Sequence, residues 1–417
     1  MKSKRRVVIT GLGVVAPNGI GKDAFWENLI AGKSAVDWIT SFDTTPYPCK
    51  VAAEVRDFDP SAFVPARRSR HWGRFSQFAV AAGKLALEDS KIDLARELPD
   101  RVLACVGTAI NGTADVYERA RVSFGRVGLP GIHWTSPTEF AANAPITHLS
   151  TELRIRGQGM TIASACATGI DAIQWACSQI QECKGDVVLA GSTEAPLTEF
   201  CFAGICAAGV LSTFDDPPLR AARPYERRRS GMVLGEGSSM CVVEEMEHAL
   251  DRGAYIYAEI LGFGSGNEGG FPARNNASEL SLTHAITSAL RAGDASPNDI
   301  DYVNAHGNSL VEYDRVDTRA LRAALGSAAD SVPVSSIKSM IGHALGAAAS
   351  FQLAATCLTL AHSVIPPTIN YDEPDPECDL DYVPNHARIA RVRTALINAH
   401  AAGGTHSVVL LGATDTR

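Results

Sequence analysis

The sequence predicts an α/β protein whose two halves repeat one order of strands and helices. Three observations carry that reading. Apolar, β-branched runs alternate with segments of helical periodicity along the whole chain. The order of elements up to residue 252 recurs from residue 253 to 417, so two domains, 1–252 and 253–417, are expected. In each half a strand turns into a helix through a stretch of small residues, GMTIASACATG at 159–169 and VPVSSIKSMIGHALGAAAS at 332–350.

The elements follow in order. Arg6 to Thr10 opens a buried first strand. The glycines of VVITGLGVVAPNG resemble a dinucleotide fingerprint, but that motif must open a helix directly, and here Pro17, Asn18 and Gly19 make a turn. Ala79 to Ser90 is helical by periodicity, and Arg101 to Ile110 is a strand ending in a turn. Met160 to Ala163 reads as the end of a buried strand, followed by apolar residues at Ile170, Ile173, Cys177 and Ile180 on one helix face. Asp186 to Ala195 is a strand, and SMCVVEEMEHAL a strand running into a helix. In the second half, YIYAEILGFGSG mirrors the opening strand with its glycine turn, and SLTHAITSALRAG the first helix. Asp299 to Ser309 mirrors Arg101 to Ile110. The 332–350 stretch mirrors the cysteine unit, with His343 placed just inside its helix. TALINAHAAGGTHSVVLLG closes the chain as strand, glycine loop and strand.

Composition narrows the function. Hydrophobic residues are 46% and charged residues 20%, which is ordinary for a soluble globular protein. A net charge of -8 argues against broad nucleic-acid binding, and no stretch has the roughly 18 uninterrupted apolar residues of a membrane span. The basic and apolar N-terminus lacks a signal-peptide cleavage site. Ten cysteines without a CxxC pair suit neither a zinc site nor a secreted disulfide framework, so a cytoplasmic location is expected. Positive charge clusters at Arg67, Arg68, Arg70 and Arg74, and at Arg220, Arg223, Arg227, Arg228 and Arg229. Such runs are solvated surface or docking patches for an acidic partner.

The chemistry-bearing candidates sit at strand ends and tight turns. Cys166 is flanked only by small residues at a helix start, where unpaired amides favour a thiolate and can stabilise a thioester oxyanion. The turn alone suits a small core cysteine equally well. His306, between Ala305 and Gly307 at the end of an apolar strand, and His343 occupy two further turns, with Lys338 near the second and Asp314 and Asp317 downstream of the first. A single histidine there is usually structural. A protease-like base would leave the second histidine unexplained, and no pair has the compact spacing of a hydrolytic zinc site, so no metal is expected. Two neutral imidazoles donating to one developing enolate would use both.

The chain resembles the elongating β-ketoacyl-acyl-carrier-protein synthases of type II systems, within the thiolase-fold superfamily. The resemblance spans essentially the whole chain. It rests on ASACATG around Cys166, NAHG at His306, SSIKSMIGHALGAAAS across Lys338 and His343, CDLDYVPNHAR at 378–388, and GGTH near the end. It implies a thiolase-like fold with mixed sheets in a layered α-β-α-β-α core. It also implies a decarboxylative condensation of a Cys166-bound acyl chain with malonyl-acyl carrier protein to give 3-oxoacyl-acyl carrier protein. On this resemblance His306 and His343 promote decarboxylation, and Lys338 orders the second histidine and pairs with Asp317, which stands where the family usually has glutamate. The amides of Cys166 and Ala402 form the oxyanion hole. No cofactor is implied, because substrates ride on carrier-protein phosphopantetheine. The implied partners are acyl carrier protein, docked at Arg67, Arg68, Arg227 and Arg228, and a second subunit in a homodimer or a heterodimer with a related chain-length subunit.

Departures from the family pattern bear on specificity. The usual HGTST is His306-Gly307-Asn308-Ser309-Leu310; of the two positions whose threonines bind pantetheine in the family, Asn308 still can and Leu310 cannot, and Asn308 and Ser309 are expected to bind substrate. The usual FGFGG is His400-Ala401-Ala402-Gly403-Gly404, so Ala402 replaces a gating phenylalanine and His400 another aromatic. Together with Gly403, these residues are expected to line the substrate channel. A specialised type II polyketide or polyene pathway is therefore favoured over a housekeeping fatty-acid elongase. A non-catalytic chain-length subunit typically lacks the cysteine, and a biosynthetic thiolase typically uses a second one.

Overall fold

The computed structural model describes residues 5–214, 217–269 and 279–414. In the first half, the principal elements are β1 (Val7–Ala16), α1 (Arg74–Ser90), β2 (Val102–Gly107), β3 (Gly159–Ile162), α2 (Thr168–Gln181), β4 (Val187–Glu194) and β5 (Gly237–Glu245). The second half contributes β6 (Ala258–Asn267), α3 (Glu279–Ala292), β7 (Tyr302–Asn304), α4 (Val311–Leu325), β8 (Val334–Ser335), α5 (Ala348–His362), β9 (Thr394–His400) and β10 (Thr405–Gly412).

These strands form one path, β8-β7-β9-β10-β6-β1-β5-β4-β2-β3. Counted outward from the centre, both halves have the order first, fifth, fourth, second, third. Their pairings match as well. β2 runs parallel to β3 and β4, and β7 parallel to β8 and β9; every other step, including β1 against β6, is antiparallel. The duplication expected from element order is thus repeated in topology.

Helices α1 and α3 cover the outer faces, α1 on β1, β5 and β4, and α3 on β6 and β10. Helices α2 and α5 lie between the two half-sheets: α2 touches β2, β4 and β10, and α5 touches β9 and β5. The result is five layers, α-β-α-β-α. The glycines explain how closely the outer layers approach. A Cβ on Gly11 or Gly13 would stand 2.3 and 1.9 Å from carbonyl oxygens of Ala86 and Ala82 in α1. A Cβ on Gly262 or Gly264 would meet Ala289 and Ala285 of α3 at 2.6 and 1.9 Å. These glycines lie inside strands and not in the turns expected for them; each pair lets a helix backbone rest on a strand. In the middle layer, a Cβ on Gly169 would stand 2.4 Å from the Ser350 amide nitrogen.

Helix α5 is buried from Ala348 to Leu360, and residues such as Phe351 and Leu353 contribute roughly 1.5–3 kcal/mol each by burial. The 18 residues Leu345–His362 are apolar enough to pass as a membrane span by composition, but 83% of them are buried inside the protein, where they form the central layer. Strand β3, expected to be buried, is instead a half-exposed edge, paired only with β2.

Candidate active site

After β3, Ala165 takes φ 50°, a tight 3₁₀ turn spans Ala165–Ala167, and α2 begins at Thr168. After β8, Leu345 takes φ 45°, a 3₁₀ turn spans Leu345–Ala347, and α5 begins at Ala348. The two turns touch where the halves meet. Cys166 is 8% exposed at the first turn, and its counterpart at the second is Gly346. His343 is not inside a helix. It lies between the short Lys338–Ile341 helix and the second turn, held in extended form by its N–H donating to Val233 O at 2.7 Å and its carbonyl accepting from Gly235 N at 3.0 Å.

The Cys166 sulfur accepts from the backbone amide of Ala402, and its own amide also points at it. Burial raises the thiol pKa, and Glu194 adds to that; the amides and the Lys338 ammonium oppose it without prevailing. The thiolate preference expected from helix-start amides alone is therefore outweighed by desolvation.

His306 follows β7. The backbone N–H of His400 donates to its Nδ1 at 3.2 Å, so the neutral ring carries its proton on Nε2. Asn308 Nδ2, itself a donor, lies 3.2 Å from that nitrogen while Asn308 Oδ1 accepts from Leu310 N, so Asn308 does not hydrogen-bond this tautomer and leaves the Nε2 proton free. The His306 and His343 rings meet edge to face with centroids 5.2 Å apart. Burial, with Lys338 beside them, holds both well below the ordinary imidazole range, so both are neutral hydrogen-bond donors at physiological pH. His343 Nδ1 is buried without a partner among the described residues.

Lys338 and Asp317 do not pair as the family pattern implies. Lys338 Nζ donates to the His306 carbonyl at 2.6 Å and to Gln352 Oε1 at 3.1 Å. Asp317 instead faces His400 Nε2 at 3.2 Å and accepts from Asn398 Nδ2 at 2.5 Å, the Tyr225 hydroxyl at 2.6 Å and Gly307 N at 3.1 Å. Aspartate is one methylene shorter than glutamate, and its carboxylate is taken up by these four neighbours. Burial lowers the Lys338 pKa to about 8, against the raising influence of Cys166 and Asp317.

The remaining expected residues divide. Asn308 is buried against His306. Ser309 is 1% exposed, and its hydroxyl accepts from Arg223 N at 2.9 Å, which makes it a brace for the loop. His400 is fully buried behind His306 and does not line an open channel. Ala402 and Gly403 are exposed at the tip of the β9–β10 hairpin. The arginine run near 220 is not one surface patch. Arg223 and Arg229 are buried, Arg229 against Asp314 at 3.1 Å and Asp375 at 2.8 Å. Arg67 and Arg227 are exposed; Arg68 is exposed and paired with Glu152, and Arg228 with Glu226.

Sequence reasoning missed several members of the site. Gln352 binds Lys338 and donates through Nε2 to the carbonyls of Asn304, Ala305 and Asn398. Its signal was a long polar side chain amid the apolar face of α5. Glu194, at the end of β4, accepts from Thr108 Oγ1 and from the amides of Ala109, Ile110 and Gly346, clamping three segments beside the cysteine. Burial raises its pKa to about 7 despite those bonds. No local pattern marks a lone glutamate at a strand end.

The five layers and the paired strand–turn–helix units define a thiolase-like fold. Residues 4–249 match the model for the β-ketoacyl synthase N-terminal domain, and residues 257–372 the model for its C-terminal domain. The chain belongs to the β-ketoacyl synthase family. It is 40% identical over 420 residues to the tetracenomycin polyketide synthase ketoacyl synthase alpha subunit of Streptomyces glaucescens, covering 98% of this chain and 97% of that one. To 3-oxoacyl-[acyl-carrier-protein] synthase 2 of Coxiella burnetii it is 38% identical, with 98% of each covered. Among solved structures, a type II polyketide synthase acyl-carrier protein in complex with its ketosynthase bound to the hexaketide superposes with TM-score 0.92 at 32% identity, covering 99% of this chain and 100% of that one. The ishigamide ketosynthase/chain length factor superposes with TM-score 0.91 at 30% identity, covering 99% of this chain and 100% of the other.

Proposed function

We propose that this protein catalyses decarboxylative condensation of an acyl chain held on Cys166 with malonyl-acyl carrier protein, as the ketosynthase subunit of a specialised type II polyketide or polyene system. The observation that carries the reading is the convergence of a buried cysteine, held under the Ala402 amide, with two neutral histidines whose rings lie 5.2 Å apart. The acyl carbonyl passes from the carrier's pantetheine sulfur to Cys166, with the amides of Cys166 and Ala402 receiving the oxyanion. Malonyl thioester then replaces the freed carrier. As carbon dioxide leaves, His306 Nε2–H and His343 donate to the enolate oxygen. The enolate carbon attacks the acyl-cysteine, the C–S bond breaks, and the product leaves on the carrier. Lys338 holds the His306 loop through its carbonyl.

The relatives' names support the setting. Both a polyketide synthase ketoacyl synthase alpha subunit and a 3-oxoacyl-[acyl-carrier-protein] synthase align end to end, and one structural neighbour carries an acyl carrier protein while another is a ketosynthase/chain length factor. We therefore assign phosphopantetheine-borne substrates, docking at Arg67, Arg68, Arg227 and Arg228, and pairing with a second related subunit. Ten cysteines with no disulfide suit a reducing cytoplasm. We divide the halves between residues 252 and 253.

The test is the intact mass of carrier protein after incubation with enzyme, acyl-carrier primers and malonyl-carrier protein. A gain of one two-carbon 3-oxo unit, lost in Cys166→Ala, is expected; condensation by Cys166→Ala overturns the assignment. The specialised reading has its own test, because the exposed hairpin tip leaves the space of the usual gate open at Ala402. Ala402→Phe should selectively lose long or rigid primers. Equal loss for every primer removes the support for that reading.

A further inference from the structure

We propose that His400 and Asp317 form a buried pair that positions His306 for the decarboxylation step, making His400 a positioning residue and not a lining of the acyl channel. The inference rests on the condensing reaction proposed above. His400 Nε2 lies 3.2 Å from Asp317 Oδ1, with His400 fully buried and the Asp317 side chain 1% exposed. The His400 ring stacks on His306, centroids 4.9 Å apart and planes 22° from parallel, while its backbone N–H donates to His306 Nδ1. The residue therefore grips the catalytic candidate by face and by edge, and Asp317 grips the residue.

Asp317 is itself over-determined. Asn398, Tyr225 and Gly307 N donate to it, and Tyr225 is fixed by stacking on Tyr382 at 3.9 Å. Gly307 follows His306 directly, so one carboxylate anchors both the loop that carries His306 and the ring stacked on it. An aromatic hydrocarbon at position 400 could supply the stack but would leave that carboxylate with one donor fewer in a dry site.

The charged and titratable groups around His400 come from each neighbouring element. Tyr313 and Asp317 stand on α4 and His306 after β7, while Lys338 and His343, before α5, act on His306. His406 on β10 meets the His400 ring edge-on at 5.3 Å, with Glu268 on its far side at 3.0 Å. Burial works against ionised Asp317, and His400 is the leading neighbour that holds it below the usual carboxylate range all the same. His400 also helps Lys338 and burial keep His306 uncharged. Removing His400 takes away a group that helps keep His306 uncharged and leaves the nearby Asp317 carboxylate with one donor fewer, both of which favour a proton on the ring. Removing the carboxylate acts in the opposite sense.

The experiment uses full-length wild type, His400→Phe, His400→Gln and Asp317→Asn. Acyl loading of Cys166 and condensation with malonyl-carrier protein are measured between about pH 5.5 and 9. His400→Phe should lose condensation roughly 10- to 100-fold, more than it loses loading, and move the acid limb of condensation to higher pH. His400→Gln, whose amide still donates to Asp317, should recover part of the rate. Asp317→Asn should move the acid limb the other way, and supplies the sign by itself if the Phe variant does not fold. Wild-type rate and an unmoved acid limb in His400→Phe overturn the inference, as do shifts of the same sign in His400→Phe and Asp317→Asn. Wild-type enzyme that forms no 3-oxoacyl product overturns the reaction itself and this inference with it; wild-type turnover with unmoved variants overturns the role of His400 alone.

Discussion

The Lys338 ammonium lies 2.6 Å from the carbonyl oxygen of His306 and is completely enclosed, sharing its protons between that carbonyl and Gln352. A cation so placed fixes the backbone of the loop that presents His306 and supplies positive charge near Cys166 without touching either reacting group.

Lys338→Met should therefore lower condensation by roughly tenfold or more, with the thermal transition retained. The lost charge falls on the catalytic loop, while the apolar replacement is relieved of a buried ion's desolvation cost. A condensation rate equal to wild type would assign Lys338 to packing.

His306 and His343 should each contribute a loss of stability in mild acid. His306 and His343 are neutral in the folded chain, with affinities for protons well below the ordinary value of 6.5. Below that value the unfolded chain takes up protons that the folded chain refuses, so stability is lost as pH falls, by at most about 1.4 kcal/mol per pH unit for each histidine. Glu194, raised to about 7, and Asp314, raised to about 6, take up protons more readily in the folded chain and oppose this loss within the same window. His248 also acts in the opposite sense, but outside the window. Hydrogen bonds to Glu244 and then Glu97 raise it to about 9, so its contribution is complete below 6.5 and is lost only as pH rises through 9. Urea midpoints between about pH 5 and 7 should show a shallower slope in His343→Leu. An unchanged slope means that His343 takes up its proton equally in both states.

The left-handed φ of Ala165, 50°, makes the cysteine turn sensitive to its first side chain. Ala165→Val should cost at least about 1 kcal/mol, because a β-branched residue is strained there. It should also slow acylation of Cys166. Ala165→Gly should leave denaturation midpoints equal or higher. A Val variant as stable as wild type would show that the turn relaxes freely.

Arg229 and Arg227 stand two residues apart with opposite expectations. Arg229→Ala leaves the buried Asp314 without its cation, and Asp375 with Arg315 at 3.7 Å, and should cost about 3–5 kcal/mol. Arg227→Glu, on the surface, should change stability by no more than about 0.5 kcal/mol while raising the Michaelis constant for carrier-borne substrate and altering its salt dependence. Unchanged carrier kinetics would assign Arg227 to solvent.

Much of this molecule was legible in one dimension because its determinants are local. Small residues between Ala163 and Gly169 permit the sharp turn at Cys166, and strand–helix alternation specifies layers whatever their partners. The doubled order of elements set the topology of both half-sheets, and the motifs at Cys166, His306, Lys338 and His343 marked the site. What the tertiary structure decided are interactions between groups far apart in the chain. Asp317 met His400 and not Lys338, because a shorter side chain reaches only the donors that folding places beside it. Burial overrode the helix-start amides at Cys166, since desolvation depends on every layer around the thiol. Arg223 and Arg229 went inside and Arg227 outside, although all three belong to one basic run. Glu194 and Gln352, without a local signature, became the clamps of the site because their partners arrive from strands and turns dozens of residues away.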